Sequence, residues 1–300
     1  MSATTMREQA MATVVDLFES DENVALIMAD ISLELLRPAV EHDPRRAINV
    51  GIMEQSAIGV AAGFALEGFH PIVHTLAPFL TERPLEQLKL DFGYQGLGGL
   101  FVSAGAAYDY GQSGGTHHSP GGVQALSSIP GIEILLPGSP AETDSLVRAT
   151  YANGRPTYLR TSVVENAAPV EVAPGGLTVV QRGRDVTVIA AGPFLSRTLA
   201  AVDGIDATVL YATTLAPLDA DALAREAAPA AEIVLVEPLY EGTTAAQVSA
   251  ALAHRPTRLL SIGVPRRFIK RYGTSEQHDR DLGLDVHGIR ERILGFTSSL

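Results

Sequence analysis

Short apolar runs that read as strands alternate with segments of helical spacing along almost the whole chain, and this alternation restricts the fold most. Strand-like runs fall at 24–29, 47–50, 71–75, 100–104, 132–136 and 156–160, with helical patterns at 6–19, 54–65, 82–90, 122–128 and 140–153. Strands separated by helices cannot pair as tight hairpins, so the pattern predicts a parallel sheet with helices on both faces. The segment 167–176, AAPVEVAPGG, interrupts every period with two prolines and a glycine pair. A second series follows, with strands at 186–190, 207–211, 232–237 and 257–262 and helices at 194–202, 219–228, 244–254 and 286–294. The reading is an α/β protein of two domains, 1–166 and 177–300, joined by a linker over 167–176, each a mostly parallel sheet. A chain of 300 residues is ample for two cores.

Composition removes several classes of function. Lys and Arg number 22 against 34 Asp and Glu, a net charge of −12, whereas nucleic-acid binding draws on cations that neutralise phosphates. Cysteine is absent, which excludes disulfides, thiolate metal sites and thiol nucleophiles. No run approaches the roughly 18 apolar residues of a membrane span, and the first twenty residues mix charges into a helical pattern without a secretory signal. The expectation is a cytoplasmic protein with no nucleic-acid or membrane partner.

The stretch 49–63, NVGIMEQSAIGVAAG, places one acid, Glu54, in the first turn of a helix of small apolar residues. A helix apolar on nearly every side belongs in a core or an interface, and its glycines, alanines and Ser56 let another backbone approach. Glu54 is then either a first-turn acid favoured by the helix dipole in water, or a buried carboxylate that needs a partner. Asp30, at the carboxyl end of the first strand, stands where open parallel sheets bind ligands, although Asp30 or Ser32 would equally serve as a helix cap.

The loop 111–122 is dense in glycine and carries His117 and His118. Adjacent histidines make poor paired metal ligands, and no third ligand is near, which leaves a proton carrier or an ordinary surface loop. Its Gly111–Gly115 stretch matches the G-x-S-x-G elbow of serine hydrolases formally. That elbow requires the serine on a tight turn directly between strand and helix, and Ser113 lies about eight residues beyond its strand. The glycines of 93–99 precede a strand instead of following one, so they read as a turn and not a dinucleotide site. Segment 265–273, PRRFIKRYG, gathers four cations in an acidic chain, as either a solvated loop or a dock for a phosphate or an acidic partner.

These stretches resemble the transketolase family of thiamine-diphosphate enzymes, which includes deoxyxylulose-phosphate synthase and, more distantly, the beta subunits of 2-oxo acid dehydrogenases. GIMEQSAIGVAAGFALEG is similar to the family's glutamate-bearing segment, with Glu54 on the glutamate. PIVHTLAPFL resembles the strand and turn whose aromatic residues pack on the aminopyrimidine: Phe79 falls on one, and Leu76 stands where a second phenylalanine is usual. GGTHHSPGG is similar to the loop that places a histidine, here His117, against substrate, and Arg160 corresponds to an arginine that binds the substrate's phosphate. YGTSEQHDRDLGLDVHGI resembles the closing segment of transketolases and deoxyxylulose-phosphate synthases. The resemblance implies a transketolase pyrimidine-binding domain followed by a transketolase C-terminal domain. It implies cofactor contacts from Glu54, Phe79, Asp30, Ile52 and Leu76, and substrate contacts from His117, Ser113, Arg160 and His118. Ser113 replaces the family's sugar-binding aspartate, which removes a charge and keeps a hydrogen bond.

The family's Gly-Asp-Gly motif, which holds Mg²⁺ and the diphosphate, does not occur in this sequence. The resemblance therefore implies a split enzyme, active with a partner subunit that supplies the metal and diphosphate site, in a heterotetramer of two chains of each kind. Its reaction would be transfer of a two-carbon ketol unit from a ketose, or a ketose phosphate, to an aldehyde. Glu54 would hydrogen-bond a ring nitrogen of the aminopyrimidine, and His117 would stabilise or shuttle protons on substrate oxygens. Two other readings are the beta subunit of a 2-oxo acid dehydrogenase or decarboxylase, and a structural or regulatory subunit without chemistry of its own.

Overall fold

The computed structural model describes residues 4–298, so the extreme ends of the two expected domains lie outside the described residues. The first sheet contains β1 (Val24–Met28), β2 (Ala47–Asn49), β3 (His70–Leu76), β4 (Gly99–Ala104), β5 (Glu133–Leu135) and β6 (Pro156–Arg160), all parallel. The second contains β7 (Leu177–Gln181), β8 (Val186–Ala191), β9 (Ala207–Ala212), β11 (Glu232–Tyr240) and β12 (Arg258–Val264). Strand β10 (Thr214–Ala216) leaves the second series and adds antiparallel to β5, giving the order β10-β5-β6-β4-β3-β1-β2. The second sheet runs β12-β11-β8-β9-β7, with β7 antiparallel at its edge. Both sheets are mostly parallel and covered by helices, as the alternation predicts.

Burial explains the apolar runs. Every residue of β1, β4, β8 and β9 is buried, as befits central strands covered on both faces. The helix Met6–Ser20 opens with a capping box, Thr5 and Glu8 each bonding the other's backbone N–H, and closes one face of the first sheet with Pro140–Thr150. One apolar cluster runs from Ile27 and Val73 in the first sheet through Leu215 on β10 to Leu235 in the second. The β10 graft thus welds the two halves through a shared core.

Besides the two strands absent from the sequence reading, β7 and β10, three features depart from it. The helix expected at 82–90 is broken: Ala77–Thr81 and Leu85–Gln87 are separate turns about Pro84, and the chain continues as a π-helical turn over Leu88–Tyr94. A helix absent from the reading, Ser275–Leu282, forms behind a Thr274–Gln277 capping box. Helix Glu54–Leu66 buries one face, Glu54, Ala57, Ile58, Ala61 and Ala62, against the sheet and exposes Gln55, Ser56, Gly59, Val60 and Gly63. The sheet lies on one side of that helix alone. Among the described residues, no helix is long and apolar enough to cross a membrane.

Candidate active site

Strands β4, β3, β1 and β2 are neighbours and run in one direction, so their carboxyl ends share an edge. After β2, Gly51 turns the chain with φ +72°, a conformation glycine adopts without a Cβ clash, and Glu54 starts the next helix. Asp30 follows β1. The end of β3 passes directly into Ala77–Thr81, which carries Phe79, and β4 feeds the loop containing His117. Parallel order thereby gathers residues distant in sequence at the edge where such sheets bind ligands.

Glu54 is 4% exposed. Arg83 Nη1 donates to both of its carboxylate oxygens, at 2.9 and 3.0 Å, and the same guanidinium lies 3.8 Å from the centre of the Phe79 ring. The His117 ring meets Phe79 edge-on at 5.3 Å between centroids, and its Nδ1 is 2.9 Å from Thr116 Oγ1. Glu54, Phe79 and His117 therefore belong to one site, with Phe79 in contact with the other two through its ring and through Arg83. A planar cation already stacked on Phe79 and bonded to Glu54 shows what the site accepts: a flat group with an N–H directed at a buried carboxylate. An aminopyrimidine fits that description.

The remaining expected residues are dispersed. Leu76 is half-buried at the end of β3, and Ile52 projects into solvent, 69% exposed, just before Glu54. Asp30 and Asn49 are joined by reciprocal bonds, Asp30 N–H to Asn49 Oδ1 at 3.1 Å and Asn49 Nδ2 to Asp30 Oδ1 at 3.2 Å. Ser32 stands at the N-cap position of the helix Leu33–His42, but its side chain makes no capping bond, and Asp30 lies outside that helix. Both adopt positive φ, and the Ser32 hydroxyl is engaged by His74 Nε2 at 2.8 Å and Arg7 Nε at 3.0 Å. Ser113 is exposed in a groove with Gln112, Thr274 and Glu276; its strand ends at Ala104 and only a three-residue 3₁₀ turn, Gly114–Thr116, follows it, so the elbow geometry is absent. His118 is buried behind His117.

Arg160 does not face an open cleft. It is 2% exposed, and its guanidinium donates to the carbonyls of Ser119, at 3.3 Å, and Pro238, at 2.9 Å. Burial disfavours its charge and lowers its pKa. In this form it braces the His117 loop against β11 and has no face open to a substrate phosphate.

The loop's glycines serve the protein's own packing. A Cβ on Gly111 would lie 2.6 Å from Gly273 O and 2.7 Å from His278 Nε2, and one on Gly121 would lie 2.9 Å from the Tyr240 ring. They let the loop press against the second half of the chain. This contact supplies what the sequence reading missed. Tyr108 Oη donates to Asp279 Oδ1 at 2.5 Å, Arg197 pairs with the same oxygen at 2.9 Å, and the His278 ring stands 5.8 Å from that of His118. The glycine density was the available signal. Arg83 was also missed, because nothing in a TERP tetrapeptide distinguishes a solvent-facing arginine from one folded back onto a glutamate.

Comparison with known proteins places these observations in a family. Residues 2–166 match the model of the transketolase pyrimidine binding domain, and residues 175–289 match that of the transketolase C-terminal domain. The chain is 42% identical over 288 residues to an uncharacterised 33.6 kDa protein in the fasciation locus of Rhodococcoides fascians, covering 95% of this chain and 92% of that one. It is 30% identical over 305 residues to one subunit of the apulose-4-phosphate transketolase of Phocaeicola vulgatus, covering 97% and 96%. A solved split-gene transketolase, described as an inactive beta4 tetramer, superposes with a TM-score of 0.85 at 24% identity and 99% coverage of both chains. A buried glutamate beside an aromatic ring at the carboxyl edge of one sheet, and two family matches that together span nearly the whole chain, lead to one conclusion: this chain belongs to the transketolase family.

Proposed function

We propose that the chain is the C-terminal subunit of a split, thiamine-diphosphate-dependent transketolase and transfers a two-carbon ketol unit from a ketose to an aldehyde. The observation that carries this reading is the buried Glu54 carboxylate, adjacent to Phe79 and already holding a stacked planar N–H donor. When bound, the cofactor supplies the nucleophilic carbon that breaks and remakes a bond beside a carbonyl. Glu54 would hold a ring nitrogen of the aminopyrimidine through a hydrogen bond to its buried carboxylate. Phe79 fixes the ring plane, and His117, edge-on to Phe79, donates to or accepts from substrate oxygens.

A partner chain supplies the diphosphate and Mg²⁺ site, in a heterotetramer of two chains of each kind. Among the described residues no three His, Asp or Glu side chains converge, and we assign no metal ligand to this chain. The Phocaeicola relative is named as one subunit of a transketolase, which supports a second kind of chain. The exposed Gln55, Ser56, Gly59, Val60 and Gly63 face, beside Glu54, suits the close approach of another backbone.

The test is ketol transfer by the chain co-purified with a candidate partner carrying the Gly-Asp-Gly motif, with and without thiamine diphosphate and Mg²⁺. Cofactor-dependent turnover of a ketose that collapses in Glu54→Gln is the expected result. A cofactor-loaded complex that consumes 2-oxo acids and no ketose would replace this reading with that of a dehydrogenase or decarboxylase beta subunit.

A further inference from the structure

The residue before His117 has one hydroxyl hydrogen and two neighbours for it. Thr116 Oγ1 lies 3.2 Å from the Ser113 carbonyl oxygen and 2.9 Å from His117 Nδ1. A carbonyl can only accept, so the bond to Ser113 takes the hydroxyl hydrogen, and the bond to His117 then requires a hydrogen on Nδ1. A hydroxyl that donated to Nδ1 instead would have nothing left for the Ser113 carbonyl. Both bonds form together in one state of the neutral ring, with Nδ1 protonated and Nε2 bare. His117 is half-buried, and its Nε2 makes no hydrogen bond with any described residue.

The turn that carries Thr116 is held from the second half of the chain. His117 N–H donates to Gly114 O at 3.0 Å, closing the 3₁₀ turn Gly114–Thr116. Gly114 has φ +71° and is buried, although Ser113, Gly115 and Thr116 around it are exposed. Its cover is the Tyr272 ring: a Cβ on Gly114 would lie 2.7 Å from Tyr272 Cε1 and 3.3 Å from Cδ1 and Cζ. The neighbouring Gly273 N–H donates to Gly111 O at 3.3 Å, and Arg266 Nη1 donates to Gln124 Oε1 at 2.9 Å. The basic segment 265–273 is therefore a strap across the His117 loop, tied to Gly111 before the two histidines and to Gln124 after them.

We propose that Thr116 is a positioning residue that holds His117 in the Nδ1–H tautomer, and that Tyr272, reaching over from the second half of the chain, fixes the turn in which it does so. The proposal rests on the transketolase reading for the use of His117, and on the bond geometry alone for the tautomer. Which ring nitrogen carries the hydrogen is set by the bond the other makes. An imidazole in water favours the hydrogen on Nε2, so the loop selects the rarer form. A bare Nε2 takes the proton of a substrate hydroxyl, leaving an alkoxide and an imidazolium, and the same nitrogen returns that proton when the step runs backwards. A neutral ring with its hydrogen on Nε2 offers that hydroxyl a donor and no base.

The experiment uses the full chain without cofactor or partner, labelled with ¹⁵N at histidine, at about pH 9, where an ordinary histidine is neutral. Correlation spectra linking the ring's carbon-bound hydrogens to both nitrogens separate a protonated nitrogen from a bare one, and a His117→Gln variant assigns the signals. The parent should carry its hydrogen on Nδ1. Thr116→Val should move it mostly to Nε2, and Thr116→Ser should keep it on Nδ1. Tyr272→Phe, which retains the ring over Gly114, should match the parent, whereas Tyr272→Ala should show a mixture. A parent with the hydrogen on Nε2 overturns the proposal before any variant is made, and so does a Thr116→Val chain that keeps it on Nδ1. A Tyr272→Ala chain indistinguishable from the parent refutes the part given to the strap. In the active complex Thr116→Val should lower kcat about fivefold at unchanged KM, since the productive tautomer becomes a minority without vanishing, and Thr116→Ser should restore it. A kcat within twofold of the parent in Thr116→Val refutes the positioning role. Because the tautomer is read without cofactor or partner, its failure leaves the split-transketolase reading standing, and loss of that reading leaves the tautomer measurable.

Discussion

The Arg83 guanidinium closes over Glu54, giving one nitrogen to both carboxylate oxygens while its plane rests 3.8 Å from the centre of the Phe79 ring. Those are the two contacts, a stacked face and an N–H on a carboxylate, that an aminopyrimidine would make with the same residues. Arg83 is 44% exposed and can swing outward, whereas Glu54 is fixed on a helix and 4% exposed. The arginine keeps the buried carboxylate paired, and on the proposed function it would be the placeholder that a bound cofactor displaces.

Arg83→Ala removes the placeholder. With Arg83 half exposed, the cost to the free chain is modest, about 1 kcal/mol by urea unfolding. Cofactor affinity in the assembled complex should rise about threefold to tenfold by calorimetric titration, because no side chain has to be displaced. Weaker binding would show that Arg83 keeps a contact with the bound ring, and the placeholder role would be abandoned.

His74 gives the fold a pH dependence. Its Nδ1 faces the Val102 carbonyl at 2.9 Å, which can only accept, so Nδ1 carries the hydrogen and Nε2 accepts from Ser32. Burial lowers the His74 pKa to about 4, with Arg7 adding to the shift. Between about 4 and the ordinary value of 6.5 the unfolded chain binds more protons than the native one. Stability from this residue is full above about pH 6.5 and falls as pH drops through that window, by on the order of 3 kcal/mol. His74→Gln should flatten that part of the stability profile measured by urea unfolding.

Glu237 acts in the opposite sense. Burial raises its pKa to about 7, while Thr244 Oγ1 donates to its Oε2 at 2.8 Å and Oε1 has no partner. The native chain holds a proton that the unfolded chain releases, so stability falls as pH rises from about 4.5 to about 7. Glu237→Gln keeps an acceptor for Thr244 and removes the ionisation. The variant should be more stable than the parent by about 1–2 kcal/mol at pH 8 and no more stable at pH 4, as read by thermal melting.

Arg160 is predicted to be structural. Arg160→Met strands the Ser119 and Pro238 carbonyls and should cost about 2–4 kcal/mol by urea unfolding, with no rescue by Lys, whose single ammonium cannot reproduce the two divergent bonds. A stable Arg160→Met protein would mean the brace is dispensable.

His117→Ala separates chemistry from folding. In the assembled complex kcat should fall about a hundredfold, the usual scale for losing a general acid or base, while the melting point of the half-exposed, loop-borne residue moves little. Turnover within twofold of the parent would remove His117 from the reaction.

Much of this molecule is written locally. The buried runs VALIM, LFVSA and VTVIAA can satisfy neither water nor a helix period, and the helices between them force parallel pairing, so both sheets were legible in the sequence. So was the approach of Glu54 and Phe79 to one edge, because strand polarity alone sends both loops there. The three-residue strand β10 was not legible, since Thr214–Ala216 is too short to show a period, and its partner β5 is decided by packing of the whole second half. Nor were the fates of the arginines. Arg83 and Arg160 carry identical side chains, and one closes over a carboxylate while the other is sealed behind two carbonyls. Sequence determines periodicity through local sterics and burial. Which charge meets which partner depends on distances between chain segments remote in sequence, and these exist only once the core has packed.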